Sequence, residues 1–513
     1  MFTELPHDIL ILVLVSLDPL DLAALGQTCR TLHGLVTEYG WSSYLRAHPR
    51  PSASLSRARA SWSPHSRVKY DILTDRAWST NSFVARPLSN PWPFKSSPLL
   101  AISANRLVVA SGNHLHSYGF GTSDGFSAPN VSFEGSFLLD GHERLGDITG
   151  LTLASSSGSD DTFFIALQDG IIERITLSPS LNDDQPLNVA RLHASTLPTN
   201  DFSESLSSSS NFLLSLSFNG LATLTDHRSL TSTTPLNCPF TNLSPPRPNI
   251  FPIQHPLSPS HPPPKLSSSP ESHTLSGPPV APLPGIPNPF SNNNGSQPII
   301  PLPTSSSSAV YGLTPSPPSS PWGSSPQILI SGWYDSKVRC YDLRLPSTLV
   351  SVPSSSLSLS HSTSSSSNGA NSTITLPALA PIQTLHNPWS YEPIYSISSG
   401  GGSNSHIAAG SARHSVLSFW DIRNPSTGWS VHAPGNDPSP VYSVILESSR
   451  CFGATESRPF VYDFGPGVTT TTYPPITRTR GDKLKPYKTP ARKGIDYYVT
   501  KYLHSRGNTP TDH

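Results

Sequence analysis

The chain has 513 residues, enough for several ordinary domains, yet 56 of them are proline, 35% are hydrophobic and only 13% are charged. That composition excludes a chain folded throughout, since part of it lacks the apolar surface to offset its conformational entropy. The formal net charge is zero, and the four cysteines, Cys29, Cys238, Cys340 and Cys451, lie far apart with no C-x-x-C pair, which argues against a disulfide framework or a thiolate zinc site and for a reducing, cytoplasmic or nuclear setting.

Residues 1–48 read as helical. Pro6 suits a first helical turn, the apolar run "ILILVLVSL" at 9–17 follows, and Asp18-Pro19 stops one helix and caps the next. The run is shorter than the roughly 20 residues a bilayer requires. It is also preceded by Glu4 and Asp8 with no Lys or Arg, the wrong charge for a secretory leader. No membrane association is expected. Leu20, Leu22, Leu25, Leu32 and Leu35 continue on short helices broken near Gly26. Such a small helical unit leaves apolar surface that predicts a covering partner.

Between about residue 75 and residue 234, most clearly from residue 98, the pattern becomes short β-branched and aromatic runs separated by Gly, Asn, Asp and Ser, as in "DTFFIALQDGIIERITLS". This predicts an antiparallel meander. Residues 235–325 interrupt it: from 235 to 326 lie 26 of the 56 prolines, with Arg247, Lys265 and Glu271 as the charges, a composition expected to be disordered. Strand patterns resume over 326–466, interrupted by a Ser-rich insert at about 349–378. Residues 467–513 form a basic tail.

Within the strand regions a repeat emerges. "SGWYDSKVRCYDLR" closes on Tyr341-Asp342-Leu343-Arg344, "AGSARHSVLSFWDIR" on Trp420-Asp421-Ile422-Arg423, and "GATESRPFVYDF" on Tyr462-Asp463; "FNGLATLTDHR" is a weaker copy ending Asp226-His227-Arg228. Upstream lie "EPIYSIS" and "SPVYSVI", with Ile394 and Val441 separated by 47 positions, a blade-sized period. Gly141-His142 precedes an alternating strand at Ile148, Leu151 and Leu153. Together these elements resemble a diverged WD-repeat β-propeller, and about 40 residues per blade over the strand regions implies six or seven blades. The Pro-rich stretch would then be a loop between blades.

The amino-terminal sequence resembles the F-box of ubiquitin-ligase substrate receptors through Leu5-Pro6, Asp8, Ile9-Leu10, Val13-Leu14, Leu17, Asp18-Pro19, Leu22, Cys29-Arg30 and Trp41. It departs from that pattern in "RTLHGL", which lacks a tryptophan after the cysteine. The resemblance implies that Leu5, Pro6, Ile9, Leu10, Val13, Leu14, Leu17 and Leu22 include residues that dock on a Skp-family adaptor, itself bound to a cullin scaffold. The competing reading is a small helical core packed against the propeller, and Leu10 and Leu14 suit both. The expected fold is therefore a small α-helical F-box followed by an all-β propeller of six or seven blades, with long disordered Pro/Ser-rich insertions. The expected function is a non-catalytic substrate receptor of an SCF-type ligase that holds an unknown protein substrate on the propeller.

Other readings carry less. "GTSDG" at 121–125 fits a nucleophile elbow, but Ser-Ala-Pro follows where a helix is needed, so Ser123 reads as a turn residue. His142 reads as a hydrogen-bonding group, the 19 histidines show no metal-ligand spacing, and neither catalysis nor a cofactor is expected. Asp342 and Asp421 read as strand ends with Arg344 and Arg423 opening the next loops. Alternatively, these Asp-x-Arg endings resemble those of propellers recruited by the DDB-type adaptor of another cullin ligase, and a WD-repeat scaffold outside any ligase is a further alternative. The basic tail, with Tyr487, Tyr497, Tyr498 and Tyr502 interleaved, reads as a solubilising or disordered end rather than a nucleic-acid contact. Ser258-Pro259, Ser269-Pro270, Thr314-Pro315 and Ser320-Pro321 are candidate proline-directed phosphorylation steps of a kind chance also produces.

Overall fold

The computed structural model describes the chain apart from residues 1–4, 124–126, 140–145, 155–160, 179–186, 198–200, 227–231, 238–307, 354–372, 485–494 and 506–513 and positions 210, 220, 324, 346–347, 436 and 480–481. The helices come first: α1 (His7–Val15), α2 (Pro19–Gly26), α3 (Arg30–Leu35), a π-helical turn at Val36–Gly40, and α4 (Trp41–Ala47). Asp18 caps α2, its carboxylate accepting from the backbone N–H groups of Leu20 (2.9 Å) and Asp21 (3.0 Å), with Pro19 at the first helical position. Leu10, Leu14, Leu22, Leu32, Leu35, Val36 and Trp41 form this unit's core, closed by Val68 from the longer helix α6. After α5 (Ser56–Ser61), α6 runs over Pro64–Ser79 and leads into the sheets.

The strands are β1 (Val84–Pro87), then β2 (Leu99–Ile102), β3 (Arg106–Ser111), β4 (His114–Phe120) and β5 (Val131–Leu138) as one sheet. The next is β6 (Ile148–Leu153), β7 (Thr162–Leu167), β8 (Ile171–Ser178) and β9 (Asn188–Thr196), followed by β10 (Ser203–Ser209), β11 (Phe212–Ser217), β12 (Leu221–Asp226) and β13 (Ser232–Asn237). A fourth holds β14 (Val310–Pro315), β15 (Ile328–Trp333) and β16 (Lys337–Asp342), a side ribbon of β17 (Thr348–Pro353) with β18 (Thr373–Ala378), and its last strand β19 (Gln383–His386). The fifth is β20 (Ile394–Gly400), β21 (His406–Ser411), β22 (Val416–Asp421) and β23 (Asn424–His432), the sixth β24 (Val441–Leu446), β25 (Arg450–Thr455) and β26 (Pro459–Asp463).

β1 completes the sixth sheet, pairing Val84 with Asp463 and Pro87 with Phe460. The start of the ring thus closes on its end, which removes the sheet edge there. The molecule is a six-blade propeller. The second strand of a blade lies between neighbouring sheets, so "RLVVAS", "TFFIAL", "HIAAGS" and "RCFGAT" are buried at every position. These strands therefore read as continuous short runs rather than alternations.

Several expected boundaries move. Seven blades overcounts because residues 75–83 belong to α6 and the turn behind it, and because blade loops are longer than the repeat average. The Pro-rich insertion is shorter than 235–325: β13 reaches Asn237, and β14 begins at Val310 although proline surrounds it. Both ends of the Ser-rich insert pair as the β17–β18 ribbon, Thr348 opposite Ala378, so 349–378 is not unstructured throughout. Nor is the tail a free end. Tyr473, Ile495, Tyr497 and Val499 are buried, and β27 (Lys501–Leu503) adds a fifth strand beside β23. Gly141, His142, His227 and Arg228 lie outside the described residues, as do Ser258, Ser269 and Tyr487.

Candidate adaptor and partner surfaces

In an antiparallel four-stranded blade the turn between strands one and two and that between three and four share one end. The turn between two and three shares the other with the connection from the preceding blade. The helices pack on the first end. Trp78 of α6 stacks on Phe464 at 3.7 Å and 9°, lies against His406 at 4.4 Å, and donates its indole N–H to the Ser448 carbonyl at 2.9 Å. It fits because Gly401 and Gly402 carry φ of +67° and +52°, and a Cβ on either would stand 3.1–3.2 Å from Trp78 ring atoms. "SSGGGSNS" is thus a turn shaped for an indole, although its composition reads as linker.

Ion pairs brace the helical segment that makes the attachment, and hydrogen bonds carry it across to the blades. Arg50 forms a bidentate pair with Asp75, 2.7 Å on each arm, and Arg59 meets Asp71 at 2.5 Å. The fully buried Glu447 carboxylate accepts from the Ser54 backbone N–H at 3.1 Å and from its hydroxyl, and burial pushes its pKa up against those bonds. Asn404 donates to the Pro49 carbonyl (2.8 Å) and Trp62 to that of Ser123 (2.8 Å). Ser123 is followed by β5 rather than a helix, which removes the nucleophile-elbow context.

Of the adaptor candidates, Leu5, Pro6 and Ile9 are exposed, Val13 and Leu17 are half-buried, and Leu10, Leu14 and Leu22 are buried in the helical core. Sequence reasoning passed over Leu12 (67% exposed), Val15 and Leu20 (76%). α1 is apolar on every side, so periodicity could not separate its inner from its outer face.

The repeat residues take structural positions. Asp342 accepts from its own Arg344 through the backbone N–H (3.0 Å), Nε (2.8 Å) and a guanidinium N–H (2.6 Å), which holds its carboxyl down at about 2. Asp421 and Arg423 repeat this geometry at 3.0 and 2.7 Å; partial burial works to raise Asp421, but the Arg423 bonds outweigh it and the net shift is downward. Each arginine is thus engaged within its own turn, and Arg423 lines a cleft of about 780 Å³ with Arg50, Asp75 and Trp78, on the face the helices occupy. Trp420 and Tyr462 are core residues, while Tyr341 is half-buried. Asp463 is wholly buried, bonding Arg450 at 3.1 Å, the Tyr473 hydroxyl at 2.5 Å and the Gly465 N–H at 2.7 Å.

The other end of the ring carries no helix among the described residues. Five blades bulge one residue into their first strand at that end: Thr149, Glu204, Tyr311, Tyr395 and Tyr442. A bulge re-aims a side chain. The tyrosine rings follow one another around the ring mouth: Tyr334 to Tyr311 at 6.0 Å, Tyr311 to Tyr395 at 5.2 Å, Tyr395 to Tyr442 at 5.9 Å. Tyr395 and Tyr442 sit in the "IYS" and "VYS" elements that the sequence repeat exposes; Tyr311 was missed because its strand lay inside the assumed insertion.

Residues 2–46 match the F-box-like family. The amino-terminal helices are an F-box-like domain. F-box domains generally bind Skp-type adaptors, and propellers serve as protein-interaction domains. No curated protein sequence matches the chain. Among solved structures, the Cps50 (Swd1) β-propeller domain of Myceliophteria thermophila is similar at 10% identity and a TM-score of 0.32, over 72% of this chain and 83% of that one. Raptor of Chaetomium thermophilum is similar at 12% identity and a TM-score of 0.38, over 86% of this chain and 36% of that one. The chain thus pairs an F-box-like domain with a six-blade propeller, a combination typical of non-catalytic receptors.

Proposed function

We propose that this protein is the substrate-recognition subunit of an SCF-type ubiquitin ligase, working in the cytoplasm or nucleus, with a Skp-family adaptor on the F-box-like domain and a protein substrate on the tyrosine-bearing propeller face. The carrying observation is the division of labour across the ring. The F-box-like domain packs on Val68 of α6, which Trp78 staples to one face while Glu447 holds Ser54; it keeps Leu5, Ile9, Leu12, Val15 and Leu20 outward, and the tyrosine mouth lies at the opposite end. Tyrosine suits protein recognition because a rigid amphipathic ring gives contact area at little entropic loss. The mechanism is proximity: substrate and charged conjugating enzyme share one scaffold, raising the effective concentration of substrate lysines. A rigid attachment of helices to propeller fixes the direction in which the substrate is offered.

Co-expression with a Skp-family adaptor tests this. The wild type should co-purify with adaptor, and Leu12→Glu with Leu20→Glu should abolish capture while leaving the thermal transition in place, since both side chains are mostly in solvent. Capture that survives both substitutions, or no capture by the folded wild type, sinks the ligase reading.

A further inference from the structure

On the tyrosine-bearing face, beside Tyr395, a pocket of about 500 Å³ opens in the fifth blade. Trp389, Tyr391 and Tyr502 line it with Glu392, His414 and His432. Three unrelated segments meet there: the connection between β19 and β20, the turn between β21 and β22, and the tail strand β27. The walls are prearranged. The Trp389 indole N–H donates to the Leu503 carbonyl at 2.7 Å and its backbone N–H to the Asn387 side chain at 2.9 Å. Tyr502 is held by pairing with Ser430, and His432 lies 6.0 Å from its ring and bonds the His414 carbonyl through Nδ1 at 2.8 Å. Trp389 nonetheless keeps 53% of its surface in solvent and Tyr391 88%, so both rings remain open to a ligand.

One charge faces this aromatic group. Glu392 meets His414 through one carboxylate oxygen, Nε2 to Oε1 at 3.5 Å. The other, Oε2, is shielded from solvent and without a hydrogen-bond donor among the described residues. Burial also lowers the pKa of His432, which favours the neutral form of that imidazole. Aromatic faces present negative electrostatic potential, and a carboxylate at their edge adds to it. An anionic ligand is repelled by that combination and a neutral one gains only apolar contact; a cation gains from both the ring faces and the carboxylate.

We propose that this pocket binds the positively charged side chain of a protein ligand, a lysine ammonium or its methylated form. The inference rests on the reading of this face as the partner surface, and adds the chemistry of one anchor residue to it.

The test uses the full-length chain without adaptor and three short peptides identical but for one residue: lysine, trimethyllysine or norleucine. Binding is followed by NMR on the 15N-labelled tryptophan indoles, with the Trp389 signal assigned by Trp389→Phe. A cationic peptide should shift the Trp389 resonance saturably while the norleucine peptide does not, and Glu392→Gln should weaken binding by roughly five- to thirtyfold. Equal binding of the norleucine peptide makes the pocket merely apolar and overturns the proposal, as does failure of both cationic peptides or a Glu392→Gln change below about twofold. The readout involves no adaptor, so its failure is separate from failure of the ligase reading, which the Leu12 and Leu20 substitutions test.

Discussion

The two faces of the ring are built from the same six sheets and have opposite chemistry. The helix-bearing face uses buried charge and close packing: Arg450 and Asp463 wholly enclosed, Glu447 buried on Ser54, Trp78 seated on paired glycines. The other face carries half-exposed tyrosines lifted by bulges from strands that otherwise pack regularly. One face has been committed to holding a second domain, and its buried carboxylates are ion-paired or hydrogen-bonded internally. The other keeps amphipathic rings whose hydroxyls and edges still have capacity for a partner. The faces should therefore respond differently to substitution, in stability on the first and in binding on the second.

The largest expected effect is at Arg450. Its guanidinium holds Asp463 and the Pro129 carbonyl in a fully buried site beside Tyr473 and Tyr70. Arg450→Ala leaves Asp463 enclosed without its counter-charge, a loss of about 3–5 kcal/mol. Denaturant unfolding checks this, and a loss near that of a surface substitution would break the description of this face as one held by enclosed, paired charge. Trp78→Ala comes next. Removing a stacked, hydrogen-bonded indole from a tight site costs about 3 kcal/mol or more, and the damage should fall on the junction. Protease cleavage between α6 and β1 should accelerate while amide hydrogen exchange in the distant second and third blades stays unchanged.

Much of this was legible in the sequence. The aromatic-Asp endings, the paired "IYS" and "VYS" elements and the amino-terminal Leu-Pro to Trp41 series give both the helical domain and the propeller, because strand rhythm and strand-end turns are local properties. What failed was what depends on distant partners. Val310 to Pro315 looks unfoldable beside so many prolines, and forms a strand because β15 offers it a ladder. Tyr497 and Val499 look like a soluble tail until the sixth and fifth blades bury them. Leu10, Leu14 and Leu22 cannot be told from Leu12 and Leu20 in a run apolar on all sides; the packing of α4 and α6 decides which turn inward.

The helix-bearing face should also have its own pH response. Burial raises the folded-state pKa of Glu447 above its unfolded value, and that of Asp71 likewise, despite the Arg59 and Arg50 charges that oppose it. A raised carboxyl means the folded state binds a proton more tightly than the unfolded one. The contribution is fully present below the unfolded pKa of about 4.3 and declines as pH rises through the folded pKa, by at most about 1.4 kcal/mol per pH unit for one group. His504 runs the other way: burial holds it at about 4, so acidification from about 6.5 towards 4 protonates the unfolded state first and destabilises the fold. Glu447→Gln isolates the first effect. The difference in unfolding free energy between wild type and this variant should fall as pH rises from 4.5 towards neutrality, and a pH-independent difference would mean that Glu447 is not held in the enclosed site described.

The smallest effect on stability, and the sharpest test of the comparison, belongs to the tyrosine mouth. Tyr395→Ala with Tyr442→Ala removes half-buried rings, Tyr395 lying between Tyr311 and Tyr442 and Tyr442 bonding Ser97 and Glu456, so each should change stability by about 1 kcal/mol. Their effect on a protein held at this face should be far larger, since paired aromatic anchors at the centre of an interface commonly change affinity by roughly tenfold or more. Quantitative co-purification compares this variant with Leu12→Glu/Leu20→Glu and the wild type. The tyrosine variant should retain the Skp-family adaptor and lose its partner, the leucine variant the reverse. Loss of both from the tyrosine variant would mean that the faces are energetically coupled through the ring, and the division of labour would have to be given up.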